Sequence, residues 1–319
     1  MKYVLVLSLL LSAFSSIAND NQDASAWLNR LSETLNQRHF STAFVVVKNN
    51  QAEPYHWAHG IDEEGEQLEI LSLLNGPRKD ILRKGQIVSY IEPGLPAYSL
   101  ATNQISGPIP AIFSGDIESL GQYYDFVSVG RSRILGRAAQ LIRIVSKDPH
   151  RLGHWVWLDE ESGMLLKLAL LTSTGQLLEQ VQFTYLELPD NMPSQLHQVN
   201  EMTLPNVVDI PNANSELELN WQVNWLPLGF ERKRVNRHRI NLLKTPAEFM
   251  LFSDGLVDVS VYVTQSVDKQ RAPEFVRDGA TLVYNQVKNG FEVSVVGKIP
   301  TATAQLMAES VQFKLPSVQ

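Results

Sequence analysis

"GHWVWLDEESGMLLKLALLTSTGQLLEQVQFTYLEL", residues 153–188, decides the fold. Trp155 and Trp157 alternate with smaller residues, a turn spans Asp159 to Gly163, and an apolar run carrying Lys167 follows. After the turn "TSTG", Val181, Phe183 and Tyr185 share one face of a third strand. Turns this short cannot hold a crossover helix, so the three strands are antiparallel neighbours in a meander. Earlier in the chain, "STAFVVVKNN" and "QAEPYHWAHG" are expected to form a hairpin around Asn49-Asn50, and "DILRKGQIVSYIE" another around Lys84-Gly85. "GPIPAIFSGDIESLGQYYDF", residues 107–126, has the prolines, glycines and short apolar pieces of a loop with one or two short helices. Ahead of all these strands, Trp27, Leu28, Leu31 and Leu35 recur at helical spacing.

Beyond this half, residues 189–215 hold prolines and asparagines without any period and read as a linker. "ELELNWQVNW", residues 216–225, alternates strictly and is expected to be a strand with one apolar face. A hairpin follows around Asp254-Gly255, with Val257, Val259, Val261 and Val263 on one face, and another around Asn289-Gly290. The last helix, over "TATAQLMAESVQF", is expected to turn Leu306, Met307 and Val311 toward the sheet. The fold class is therefore mainly β, α+β, with a large antiparallel first half and a smaller sheet with a covering helix.

"MKYVLVLSLLLSAFSSIAND" has a lysine, an apolar stretch and small residues ending at Ala18, the pattern of a secretory signal peptide over residues 1–18. Polar residues arrive too early for a membrane span, which needs about 20 apolar residues. The expected location is a periplasm-like compartment, and an exported chain of net charge −7 has no expected nucleic-acid partner. With no cysteine, neither a disulfide nor a thiol nucleophile can form, and hydrophobic cores must hold the chain.

The sequence has no nucleophile elbow, no paired-histidine zinc motif and no phosphate-binding glycine loop. His56 with His59, and His150 with His154, fall short of the three or four convergent ligands that zinc requires. No metal, cofactor or enzymatic activity is expected. Trp155, Trp157, Trp221 and Trp225 lie in alternating patterns and read as packing residues; a subset of the first-half aromatics could instead line an apolar cavity. "GFERKRVNRHRI", residues 229–240, is the one strongly basic run. Extended, Arg232 and Arg234 share a face and could meet Glu216 or Glu218 across a strand pair, or the run could dock an anionic head group or an acidic segment.

"LLNGPRKDILRKGQIVSYIEPG", "YYDFVSVGRSRILGRAAQLIRIVSKD", "VWLDEESGMLLKLALLTSTGQLLEQVQFT", "WLPLGFE" and "LFSDGL", in this order, resemble the RseB/MucB family of periplasmic regulators of the envelope-stress factor sigma-E. Within the third block, the stretch "VWLDEESGMLLKLALL" alone also resembles the lipoprotein carriers LolA and LolB. The resemblance implies a LolA/LolB-like lipid-sensing domain over residues 19–188, an unclosed antiparallel barrel with plugging helices, and a C-terminal α+β partner-binding domain over 216–319. It further implies a non-enzymatic protein that binds the periplasmic segment of the anti-sigma factor RseA/MucA and shields it from site-1 proteolysis. Lipid or lipopolysaccharide would act as release signal. A periplasmic lipid or lipoprotein carrier is the alternative.

For the lipid cavity, Phe44, Tyr90, Phe113, Trp155, Trp157, Leu165 and Phe183 are the candidates. For the partner surface they are Arg232, Lys233, Arg234, Arg237, Arg239, Tyr262 and Tyr284. Self-association is left open.

Overall fold

In a computed structural model, the described residues are 24–208, 219–239, 246–268 and 270–314; of residues 237–239, 246 and 247 only the backbone is described. The expected signal segment and Glu216 and Glu218 lie outside them.

Helix α1 (24–37) leads into β1 (Phe40–Lys48), β2 (Gln51–Ile61), β3 (Gln67–Leu73), β4 (Lys79–Lys84), β5 (Ile87–Ile91) and β6 (Tyr98–Ala101). Two short helical turns, Ala111–Ser114 and Glu118–Gln122, interrupt the strands before β7 (Tyr124–Ile134), β8 (Arg137–Ser146), β9 (Gly153–Asp159), β10 (Leu165–Leu171) and β11 (Leu177–Glu187). All eleven strands form one antiparallel sheet in the order β6-β5-β4-β3-β2-β1-β11-β10-β9-β8-β7. Because β6 and β7 remain its two edges, the sheet is unclosed. The β1–β2 turn forms where expected, since asparagine tolerates the left-handed backbone that a two-residue hairpin needs: φ is 49° at Asn49 and 59° at Asn50.

Period-two alternation assigns the faces. Phe40, Phe44 and Val46 of β1, Trp57 of β2, Leu71 of β3, Val156 and Leu158 of β9, and Phe183 of β11 point inward. Leu28, Leu31 and Leu35 of α1, together with Phe113, Ile117 and Leu120, cover that inner face. Tyr185, expected beside Val181 and Phe183, instead faces out and is 47% exposed. A bulge between Ala43 and Phe44 pairs Phe44 with Phe183 but Ala43 with Tyr185, which turns the end of β11 over.

The stretch read as a linker also differs. Helix α2 (Gln195–Glu201) lies within it and packs Leu196 and Val199 against Ala58, Leu68 and Leu82 on the outer face. Residues 206–208 then pair with the edge strand at Ser99. Only one turn of apolar spacing was available there, and flanking prolines concealed it.

The second half contains β12 (Trp221–Val223), β13 (Glu231–Arg239), β14 (Pro246–Ser253), β15 (Asp258–Gln265), β16 (Glu274–Asp278), β17 (Thr281–Lys288), β18 (Phe291–Gly297), α3 (Thr301–Glu309) and β19 (Val311–Phe313). Six of its strands form a sheet in the order β13-β14-β15-β18-β17-β16. Both late hairpins turn where expected, and Val257, Val259, Val261 and Val263 are all buried. Within the long strand expected over 216–225, only β12 is extended among the described residues, and it pairs with β19 rather than with the basic run. Trp225 leaves the strand to pack edge-on against His150 of the first half, with centroids 5.0 Å apart. On α3, Met307 is fully buried but Leu306 is 42% exposed, because one turn of helix cannot direct two adjacent residues to the same surface.

The two halves share one hydrophobic core, and among the described residues two groups of charged contacts join them, besides the hydrogen bond from the Thr303 hydroxyl to the His150 carbonyl at 3.2 Å. Arg151 of the first half donates from Nε to Asp254 at 2.6 Å, and Tyr124 donates its hydroxyl to the same oxygen at 2.7 Å; both ion-pair side chains are fully buried. The rings of Tyr123, Tyr124 and Phe230 surround the guanidinium, which also reaches the Leu228 carbonyl. At the second contact, Glu179 accepts from Lys298 at 2.7 Å and from the Ala280 amide at 3.3 Å, while Lys48 reaches Asp278 at 2.7 Å.

Candidate functional site

Two spaces lie along the segment 103–111. The first is a cavity of about 50 Å³ on the inner face of the large sheet. Phe44, Trp57 and Leu71 give it apolar walls, and Glu69 and Arg83 a polar floor. Strand register brings these residues together, because Trp57 lies opposite Leu71, and Glu69 opposite Arg83. Arg83 donates to Glu69 Oε1 at 2.8 Å and Trp57 Nε1 to Oε2 at 3.0 Å, so both carboxylate oxygens are used in a buried pair. That pairing offsets the cost of placing charge beneath an apolar face. The remaining wall is the proline-rich segment 103–111.

Of the residues nominated for a lipid cavity, Phe44 lines this space. Phe183 stacks behind it at 5.5 Å, and Phe113, fully buried, secures the end of the covering segment. Leu165 is a core residue, and Tyr90 stacks on Tyr98 near the β6 edge, 5.1 Å between centroids. Trp155 and Trp157 do not line the cavity. His154, Val156 and Leu158 take the inward positions of β9, so alternation places both tryptophans on the outer face. There Arg143 lies over Trp155 at 5.3 Å and Lys167 over Trp157 at 4.7 Å, and both rings are half-buried. Burial holds the Lys167 ammonium below its ordinary pKa.

The second space is a cleft of about 620 Å³ between the halves. Ile105, Ile109 and Leu170 contribute from the first half, and Leu251, Leu256 and Val296 from the second, with Lys233 and Lys298 beside them. His154 belongs to the same lining and is 2% exposed; burial pushes its pKa down to about 4 and Lys298 adds to the shift, so the imidazole is neutral at neutral pH. At the adjoining contact, burial and Asp254 push the Tyr124 hydroxyl well above its ordinary range.

The basic run forms edge strand β13, with a bulge between Arg232 and Arg234. Arg232 pairs with Phe252 and Arg234 with Leu251, so the two arginines do not share a face as expected; the extra residue reverses the alternation. In register across the sheet, Arg234, Leu251, Ser260 and Val296 lie on the face that borders the cleft. Tyr262 is on the same face one pair further along, against Phe249 at 5.4 Å. Lys233 pairs with Glu231 at 2.8 Å. The side chains of Arg237 and Arg239 lie outside the described residues. Tyr284 is withdrawn from the surface set: it is 5% exposed, because β17 alternation turns it into the core.

Sequence reasoning missed Trp57, Glu69, Leu71 and Arg83. Alternation in "QLEILSL" placed Glu69 on the same face as Leu71, an acid on a buried face, but the partner across the strands depended on register. Among the described residues, no group of three or more histidine, aspartate or glutamate side chains is arranged to hold a metal ion. No helix among them is long and apolar enough to cross a membrane.

Residues 23–207 match the model of the MucB/RseB N-terminal domain, and residues 215–312 that of the MucB/RseB C-terminal domain. The sigma-E factor regulatory protein RseB of Escherichia coli K12 is 29% identical over 307 residues, 96% of this chain and 95% of that protein. The sigma factor AlgU regulatory protein MucB of Pseudomonas aeruginosa is 32% identical over 316 residues, 98% of each chain. Among solved structures, the Pseudomonas aeruginosa MucA/MucB complex superposes with a TM-score of 0.74 at 30% identity, covering 92% of this chain and 99% of that one. MucB in complex with MucA(peri) gives 0.71 at 29% identity, with coverage of 92% and 99%.

Proposed function

The chain belongs to the MucB/RseB family, and from that premise we propose that it is a periplasmic regulator that binds the periplasmic segment of a sigma-E-type anti-sigma factor. Bound, it shields that segment from site-1 proteolysis, and a lipid or lipopolysaccharide releases it. The observation that carries this reading is the ordered match of both halves to one family of non-enzymatic regulators. Relatives solved with MucA support the choice of partner.

A gate of this kind needs no catalytic group. Protection follows from the fraction of partner bound, and a ligand that prefers a form unable to hold the partner lowers that fraction by its differential affinity. The inner cavity, with Phe44, Trp57 and Leu71 around a paired Glu69–Arg83 floor, suits the apolar part of such a ligand. Lys233, Arg234 and Tyr262, on or beside the cleft face of the small sheet, suit an acidic partner segment.

The test is the cleavage rate of the purified anti-sigma segment by its site-1 protease, with and without this protein, then with added lipopolysaccharide. Slower cleavage that lipopolysaccharide restores is the expected result. No protection, with lipid copurifying in the folded protein, would replace this reading with that of a periplasmic lipid carrier.

A further inference from the structure

We propose that the segment 103–114 is a two-sided wall that transmits occupancy of the inner cavity to the C-terminal half. This rests on the lipid-release reading above and supplies its route. Ile105, Pro108, Ile109 and Pro110 line both the cavity and the cleft, so one stretch of chain separates the two spaces.

The volumes determine which wall moves. Ligand pockets run to about 300–1,000 Å³, so a cavity of about 50 Å³ admits an acyl chain only if a wall is displaced. The sheet wall is hydrogen-bonded strand on both sides of Trp57 and Leu71. Among the described residues, by contrast, no hydrogen bond ties 103–111 to the strands it covers. The far end of the segment is pinned: Phe113 is fully buried, and α1 holds the Ser114 and Gly115 carbonyls through Asn36 at 2.9 Å and Ser32 at 3.2 Å. The free stretch therefore swings about that end, and the cleft of about 620 Å³ is the space behind it.

Across the cleft stands the β14–β15 turn. Leu256 and Val257 line the space, and Gly255 lies against Leu120 and Ile112, whose methyl groups are 3.4 and 3.8 Å from where a Cβ would stand. The same turn holds Asp254, the acceptor for Arg151 and Tyr124 and for the amides of Leu256 and Val257. A segment pushed off the sheet thus meets the turn that fastens the two halves, and close-packed surfaces respond by changing arrangement rather than by yielding gradually.

Hydrogen exchange on the mature chain tests this without a ligand. Gly107→Leu places a side chain where even a Cβ would lie 2.8 Å from a Leu71 methyl, wedging the segment outward; Ile109→Ala is the milder second variant. Exchange is expected to rise about tenfold at residues 253–258 together with 103–111, leaving the Asn289-Gly290 turn unchanged. A loosened segment with full protection at 253–258 would overturn the proposal. In a second arm, a Leu71→Cys/Gly107→Cys pair, the only thiols in the chain, is joined by a short linker and challenged with sodium laurate. Laurate should raise exchange at 253–258 in the open pair and not in the joined one; an equal response in both would overturn the route. Should laurate leave the unmodified protein unchanged while the ligand-free variants still couple, the lipid reading fails and the wall stands.

Discussion

Among the groups through which acid should weaken this protein, His154 has the largest histidine shift. Its pKa falls from 6.5 to about 4 in the folded chain because burial in the lining of the cleft disfavours the imidazolium, with Lys298 nearby adding to the effect and Asp254 opposing it. The unfolded chain, with the ordinary value, binds the proton first. Stability is therefore complete above pH 6.5 and declines as the pH falls toward 4. At about 1.4 kcal/mol per pH unit the whole window amounts to roughly 3 kcal/mol, of which about 2 kcal/mol is already lost at pH 5. The assay is urea unfolding between pH 7.5 and 4.5 for the wild type and His154→Leu. Carboxylates titrate in both proteins, so the difference between their pH dependences isolates the histidine. The variant should lose about 2 kcal/mol less between pH 7.5 and 5. Parallel curves would refute the reasoning and place the ring in contact with water or with an anion.

Arg151→Met should cost about 3–5 kcal/mol by thermal or urea unfolding, because it leaves the buried Asp254 carboxylate without its cation, whereas Asp254→Asn should cost less, because Arg151 keeps Asp148. Gly229→Ala should destabilise by at least about 1 kcal/mol in the same assays, since φ is +86° and the new Cβ would lie 2.4 Å from the Tyr123 ring. Phe44→Ala should cost about 3–5 kcal/mol and impair laurate uptake followed by native mass spectrometry. Trp157→Ala, on the outer face, should leave uptake unchanged. Lys233→Ser with Arg234→Ser should weaken binding of the anti-sigma segment at low salt and flatten its salt dependence, read by titration calorimetry.

How much of this was legible follows from what each signal encodes. The meander, the hairpin turns and the division into a large and a small sheet were written in alternation and in Asn-Asn, Asp-Gly and Asn-Gly pairs, which are local. Facing was legible only while the register ran without interruption. The bulge at Ala43/Phe44 turned Tyr185 out, and the one at Arg232/Arg234 separated two arginines that the pattern placed together. Trp155 and Trp157 misled for another reason: alternation showed that they share a face but not which face, and large aromatic rings suggested the core. Their burial against Arg143 and Lys167 depends on cross-strand neighbours that no local pattern names. The Glu69–Arg83 floor and the Arg151–Asp254 contact are long-range pairings of the same kind.

The nature of the charged contacts between the halves also bears on regulation. A purely apolar interface would tolerate several packings of similar energy. A buried guanidinium held at once by Asp254, Asp148 and the Leu228 carbonyl, and enclosed by three rings, is satisfied in one arrangement, and departure from it gives up directional bonds in an apolar surround. The contact of Glu179 with Lys298 and Ala280 adds a second such condition on the other side of the cleft. The halves are thus held in a discrete arrangement that gives way as a unit. A gate requires that behaviour, because a ligand can switch partner binding only if the states it chooses between are distinct.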